Sequence, residues 1–280
     1  ARPHGHLPRD PRLEALRAPG QGGRRMSALD YTIVVPSRKR AHNMPVLRSL
    51  LPTALICVDE RERWDYAAFV PSDRLLVHPP MDGLYNVINW MQEVVRSKIL
   101  IEIDDDFQRV LCTTGSRRRI TEPRDILAVL ENAARACQDL ELTTFCFSRT
   151  ANSVLLRSDI RPIMPVQPVC NAFGMMGAAR HRPYGREYLG RGDVDWTLRT
   201  LLEDRCVYAD VRFYFDCGRV FGGRGGNVGL VTPAQFKATS ALLKKKWGRS
   251  VSYKPPAFAR KRSVAAISIK VSRSNPTAQK

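Results

Sequence analysis

The stretch from Ile99 to Asp106 reads ILIEIDDD, an apolar run that ends in three consecutive carboxylates, Asp104, Asp105 and Asp106. Three acids so close repel one another at neutral pH unless a cation holds them. Carboxylate oxygens suit Mg²⁺ or Mn²⁺, and such ions take one or two protein carboxylates together with substrate phosphates. The triplet therefore predicts a divalent metal on a phosphorylated donor, with a solvated acidic turn as the plainer alternative. A glycine-rich stretch, Gly218 to Gly229, is a second candidate. Its glycines allow close backbone approach to phosphate, with Arg219 and Arg224 as phosphate contacts, although a long hairpin has the same composition. It carries neither the G-K-[ST] nor the G-x-G-x-x-G order of other phosphate loops. Asp216, just before it, reads as a strand-end turn or a further metal contact.

Those groups need a frame. A continuous Ile/Leu-rich run predicts a strand buried on both faces, and such strands deliver ligand-binding groups at their carboxyl ends. Residues 31–35 (YTIVV), 54–58 and 75–78 read as further strands, the first closed by Pro36 and the loop Ser37-Arg38-Lys39-Arg40. Leu84, Val87, Ile88, Met91, Val94 and Val95 recur at helical spacing and predict an amphipathic helix over 82–96. Helices are also predicted at 43–50, 125–138, 193–202 and 233–246, the last after the N-cap Thr232. Shorter strands are predicted at 143–147, 153–156, 163–167 and 212–215, whereas 172–180, which contains FGMMGAAR, reads as small and flexible. Strands and helices in this rhythm predict an α/β fold with a mostly parallel central sheet flanked by helices.

Charge divides the chain. Of the net +18, residues 1–30 carry +3 and residues 244–280 carry +11 with no acid at all, leaving +4 for the body. A near-balanced body with a basic end points to a polyanionic partner such as nucleic acid. The organisation read from this is a disordered extension at 1–29, a folded domain at 30–247 and a basic disordered tail at 248–280. Seven cysteines, odd in number and without a C-x-x-C pair, argue against a zinc ribbon or a disulfide scaffold and read as buried reduced thiols. The five histidines form no i,i+4 or H-x-E pair, so no zinc site is assigned. No apolar run approaches the roughly 18 residues of a membrane span, and a cytoplasmic location is expected.

Together, YTIVVPSRKR, the second strand ending at Asp59, the helix opening MDGLYNVINW and the strand ILIEIDDD resemble the nucleotide-sugar half of a GT-A glycosyltransferase. The resemblance implies a GT-A-like fold in which Asp104 and Asp106, with Asp105 adjacent, handle Mn²⁺ or Mg²⁺ and the donor diphosphate. It places Pro36, Ser37, Arg38 and Arg40 along the nucleotide pocket, Asp59 against the base, and Gly83 and Asn86 near the donor. Such enzymes often carry an Arg near the start of that helix, where this chain has Asn86 and Asn89. GRGDVDWTLRTLLEDR resembles the segment in which inverting members place the catalytic base. Asp193 is the first candidate and Asp195 the second, because residues two apart cannot share a helix face. The Glu that usually precedes the base is Gly192 here, and an acidic pair capping the helix start is the plainer alternative.

With FYFDCGRVFGGRGGNVGL added, residues 31–245 are most similar to the DNA-base glycosyltransferases associated with TET/JBP-type dioxygenases in phages and kinetoplastids. That implies transfer, with inversion, from a nucleotide-sugar (UDP-sugar first) to the hydroxyl of a hydroxymethyl-pyrimidine in DNA, in a bacterial cytoplasm if phage-encoded. Lys244, Lys245, Lys246 and Arg249 join Arg219 and Arg224 as DNA contacts, and Phe173, Tyr184 and Trp196 either stack on an extruded base or fill the core. The competing classes are a transferase for saccharide or protein acceptors, an inactive DNA-binding module of the same fold, and a nucleotidyltransferase.

Overall fold

Apolar runs bounded by turn residues build the first four strands of the sheet, β1 (Tyr31–Pro36), β2 (Leu55–Asp59), β3 (Leu75–His78) and β4 (Ile99–Ile103). They pair in parallel in the order β3-β2-β1-β4, with Ile33 opposite Ile101. The computed structural model describes residues 28–114, 118–151, 163–164, 167–217, 226, 231–254 and 266–269. Every residue of β4 is buried, the state expected of a central strand. Beyond β5 (Phe107–Cys112) and β6 (Arg119–Ile120), the sheet continues with β7 (Thr144–Phe147), β8 (Ile163–Met164), β9 (Ala172–Met176) and β10 (Tyr208–Asp210). Its full order is β3-β2-β1-β4-β9-β7-β10-β8, parallel except for β9 and β8.

Alternation within the strands feeds two separate cores. Ile33 and Val35 point to one face, where α1 (Met44–Leu50), α2 (Arg63–Ala67) and α4 (Pro123–Asp139) supply Leu47, Tyr66 and Leu130. Val34 and Leu100 point to the other, where α3 (Leu84–Val94), α5 (Gly192–Asp204) and α6 (Pro233–Trp247) supply Met91, Trp196 and Leu243. Each such side chain, fully buried, contributes about 1.5–3 kcal/mol of transfer free energy. The helices on both faces of a mostly parallel sheet are those the sequence predicts, except for the short α2, which it does not. Phe173, Tyr184 and Trp196 belong to the second core and are almost fully buried. They are packing residues, and no base can stack on them.

Three segments differ from expectation. Residues 172–176, read as flexible, are the buried strand β9 between β4 and β7. Its Gly174 lies opposite Phe145, and a Cβ there would come within 2.1 Å of that ring. The glycine that suggests flexibility in the sequence is the residue that lets two strands and an aromatic ring share one space. A small second sheet, absent from the expectation, pairs β5 with β6 and with β11 (Phe213–Cys217). Phe215 of β11 packs on Phe107 and Phe147 at centroid distances of 5.4 and 4.5 Å, anchoring it to the first core. The basic tail also contains ordered backbone, since β12 (Val251–Lys254) and β13 (Ala266–Ile269) form an antiparallel pair. The predicted strand at 153–156 and all but the last two residues of the extension at 1–29 lie outside the described residues, and of those two Leu29 packs against the first core. Among the described residues, no helix is long and apolar enough to cross a membrane.

Candidate active site

The acidic turn leaves the carboxyl end of β4 and returns at once into β5. Its shape is set by backbone bonds: Asp104 N–H donates to the Asn171 carbonyl (2.8 Å) and Phe107 N–H to the Asp104 carbonyl (3.2 Å). Asn171, in the left-handed region at φ 46°, also donates from Nδ2 to the Phe215 carbonyl (2.9 Å) and so ties the turn to β11. The three carboxylates then part company. Asp105 turns inward, where Oδ2 accepts from Ser37 Oγ (2.7 Å) and Oδ1 from Arg40 Nη1 (2.5 Å). Ser37 Oγ also shares a 2.7 Å hydrogen bond with Tyr66 OH, which accepts from Arg40 N–H at 3.0 Å. Asp106 has a single longer contact to Arg40, 3.2 Å, and the described structure gives the Asp104 carboxylate no ion pair.

Asp104, Asp106 and Cys217 each present a ligand atom, and the three atoms lie within 4.8 Å of one another. Burial, followed by the charges of Asp106 and Asp105, pushes the Asp104 carboxyl up to about 8, against the opposing pull of Arg40. Burial also raises Asp106, again opposed by Arg40. Two carboxylates that resist ionising side by side, beside a thiol, form a donor set that a divalent cation fits. Asp105, spent on Ser37 and Arg40, is not in that cluster. Asp216 is also outside it, paired across the ladder with Arg109 at 2.8 Å.

Asp193, in the first turn of α5, lies near enough to Asp104 for its charge to be among those that raise that carboxyl. Its own carboxyl is raised by burial, with Arg149 and Arg191 pulling the other way. Gly192 before it has a reason: a Cβ there would lie 2.7 Å from the Tyr85 ring, whose hydroxyl accepts from Gly192 N–H at 2.6 Å. A larger residue at 192 would push α5 off α3. Asp195 has the opposite fate. Only 1 % exposed, it accepts from Arg199 Nε (3.0 Å), Lys246 Nζ (2.7 Å) and Trp247 Nε1 (2.8 Å), which clamps α5 to the end of α6. Of the two candidate bases, Asp193 is the one whose charge reaches Asp104, and Asp195 is committed to packing.

The residues expected along the nucleotide pocket divide similarly. Pro36 ends β1, and Ser37 and Arg40 buttress the acidic turn from behind. Arg38 Nη1 donates to the Gly226 carbonyl (3.1 Å), and Gly226 N–H donates back to the Arg38 carbonyl (2.9 Å). Gly226 sits at φ 57°, where a Cβ would meet the Arg40 guanidinium at 3.1 Å. Asp59 is fully engaged by its neighbour Arg61, whose hydrogen bonds hold its carboxyl down at about 2, so it has little capacity left for a base. Gly83 and Asn86 line a cleft with Tyr85, Arg186 and Gly190, and the Asn86 Oδ1 there is buried without a partner. Arg219 and Arg224 lie outside the described residues. Lys246 serves Asp195, and Lys244 caps its own helix by donating to the Gly248 and Val251 carbonyls. Lys245 and Arg249 are exposed.

Sequence reasoning overlooked three contributors: Cys217, Glu102 and Arg149. Glu102 lies in the fully buried strand β4 with Oε2 unpartnered, and burial plus Asp104 and Asp193 raise its carboxyl well above the usual range. The signal was there, a lone acid inside ILIEI.

Similar solved structures include a mannosyltransferase from Pyrobaculum calidifontis in complex with GDP-Man and Mn²⁺ (13 % identity, 83 % of this chain and 79 % of that one, TM-score 0.46). Glucosyl-3-phosphoglycerate synthase from Mycobacterium tuberculosis in complex with Mg²⁺ and UDP is another (10 % identity, 87 % and 88 % coverage, TM-score 0.47). No curated protein sequence matches the chain. The model of the TET-associated glycosyltransferase family matches residues 31–226, from the first strand to the glycine that closes over Arg38; the chain belongs to that family and is a nucleotide-sugar glycosyltransferase.

Proposed function

We propose that the enzyme moves a sugar from a nucleotide-sugar, UDP-sugar first, to the hydroxyl of a hydroxymethyl-pyrimidine in DNA, with a divalent metal and with inversion. The observation that carries this reading is the pair Asp104 and Asp106, with ligand atoms within 4.8 Å of each other beyond the carboxyl end of β4, together with Asp193, almost ninety residues further along the chain, whose charge helps to raise Asp104. Asp104 and Asp106 would hold Mn²⁺ or Mg²⁺, which when bound neutralises the diphosphate that leaves. Asp193 takes the proton from the acceptor hydroxyl as its oxygen attacks the anomeric carbon. A carboxyl raised by burial is better matched to that proton than an ordinary aspartate. Direct attack from one face, with departure from the other, inverts the anomeric centre. Tyr85 and Gly192 fix where Asp193 points, and the cleft of Gly83 and Asn86 beside them is available to the donor.

The DNA acceptor is supported by the +11 of residues 244–280 and by the family's resemblance to DNA-base transferases. An acceptor base in duplex DNA must be flipped out, at a cost of a few kcal/mol of unstacking. Phosphate contacts by exposed cations such as Lys245 and Arg249 offset that cost through counterion release. The test is mass spectrometry of nucleosides from hydroxymethylated DNA incubated with the enzyme, Mn²⁺ and a panel of nucleotide-sugars. A hexose or pentose mass on the modified base is expected, and an NMR coupling constant of the product gives its anomer. Donor turnover with no mass added to any base would overturn the DNA acceptor.

A further inference from the structure

We propose that Cys217 is a third protein ligand of the ion held by Asp104 and Asp106, giving this enzyme a thiolate-bearing metal site that favours softer divalent ions. The proposal rests on the metal reading of the acidic turn and adds to it a ligand from a different strand. Its sulfur lies within 4.8 Å of both carboxylate oxygens. Other thiols of the chain have found neighbours: Cys137 donates to the Leu142 carbonyl, Cys146 receives the Gln167 amide, and Cys112 pairs with Thr114. Cys217, only 6 % exposed, has no side-chain hydrogen bond among the described residues, and its sulfur lies close to the two acids.

The ladder shows how it gets there. Along β11 the register runs Phe215 to Val110 and Asp216 to Arg109, then slips so that Cys217 faces Phe107, leaving Gln108 as an extra residue on β5. A bulge of this kind re-aims side chains beside functional sites. Here it sets Cys217 next to the residue that follows Asp106. Phe215, on the same side of the strand, is locked between Phe107 and Phe147 and fixes the strand's depth.

Ligation breaks the S–H bond, releases the proton to solvent and gives the sulfur lone pair to the ion; no oxidation state changes. Two hard carboxylates keep Mn²⁺ acceptable, while a soft thiolate raises affinity for Co²⁺, Zn²⁺ and Cd²⁺ more than for Mg²⁺.

The full chain, reduced, would be titrated with Co²⁺ and followed for a thiolate-to-cobalt charge-transfer band in the near ultraviolet. The band is expected in the wild type and absent from Cys217→Ser. In competition read by the electron spin resonance of free Mn²⁺, Cys217→Ser should lose about tenfold or more in Cd²⁺ affinity while Mn²⁺ affinity changes less than about threefold. Co²⁺ binding that disappears in Asp104→Asn but never shows the band overturns the thiolate ligand and leaves the metal reading standing. A band that survives in Cys217→Ser does the same. If neither Co²⁺ nor Mn²⁺ binds, both readings fall. Should Cys217→Ser fold poorly by circular dichroism, the wild type alone decides, by mass-spectrometric alkylation of Cys217. Strong slowing by Cd²⁺ supports ligation, and equal rates with and without Cd²⁺ overturn it.

Discussion

The turn after β4 and the first turn of α5 both carry carboxylates at close spacing, and each treats them unequally. At the turn, Asp105 is given to Ser37 and Arg40 while Asp104 and Asp106 are left facing each other and Cys217. In α5, Asp195 is surrounded by Arg199, Lys246 and Trp247 while Asp193, two residues earlier, adds its charge to that around Asp104. Where the chain supplies its own cations, an acid is structural. Where burial and like charges raise an acid and no lysine or arginine is spent to relieve it fully, the acid is available for chemistry. The two regions also differ in scale. The turn draws its candidate ligands from the β4–β5 connection and the end of β11, whereas α5 has its pair sorted by α6, which claims Asp195.

The sharpest test of this division is Asp193→Asn, which should reduce sugar transfer about 10²–10⁴-fold with donor KM nearly unchanged. Asp195→Asn run alongside should retain transfer per folded molecule, and equal losses in steady-state kinetics would erase the distinction. Next in size is Asp195→Ala. Stranding buried cationic partners costs about 3–5 kcal/mol, and because Lys246 and Arg199 still reach solvent the lower end, about 3 kcal/mol in urea unfolding, is expected. On the other side of the comparison, Mn²⁺ at a hundred times its Kd should stabilise the wild type by about 2.7 kcal/mol, and Asp104→Asn with Asp106→Asn should abolish that gain in a thermal-shift assay.

The pH response follows from the raised Asp104. Its folded-state value of about 8 stands above the ordinary 3.8, so the folded chain holds that proton more tightly than the unfolded one. The contribution is fully present below about pH 4 and is lost as pH rises through about 8. The metal-free chain should therefore lose stability across that window, and Asp104→Asn should flatten the loss; a metal-free Tm that climbs from pH 5 to 8 would contradict the assignment. The smallest effect belongs to the surface. Lys245→Ala with Arg249→Ala should lower the slope of log affinity for DNA against log salt by about 0.9 for each phosphate contact removed.

Much of this was legible beforehand because the strongest signals are local. Ile99–Ile103 is continuous and its end is abrupt, so both the central strand and the acidic turn could be read from eight residues. The helices followed from apolar spacing. The failures come where a partner distant in the chain decides. β9 reads as flexible until Phe145 fills the space over Gly174. Cys217 reads as an inert thiol until the β11–β5 ladder carries it beside Asp106. Ser37 and Arg40 read as lining for a nucleotide pocket until the fold gives them Asp105 and Tyr66 as partners. Asp59 ends its strand as expected, but Arg61, only two residues on, claims it first.

The paired hydrogen bonds between Arg38 and Gly226 join positions 188 residues apart, with the Arg40 guanidinium pressed beneath a glycine that has no Cβ to keep it away. This imposes a chronology on synthesis. A growing polypeptide that has emerged only as far as its fourth strand owns the acidic turn but neither the sulfur nor the cover over its arginines. The bonds that hold Arg38 therefore form only after residue 226 has left the ribosome.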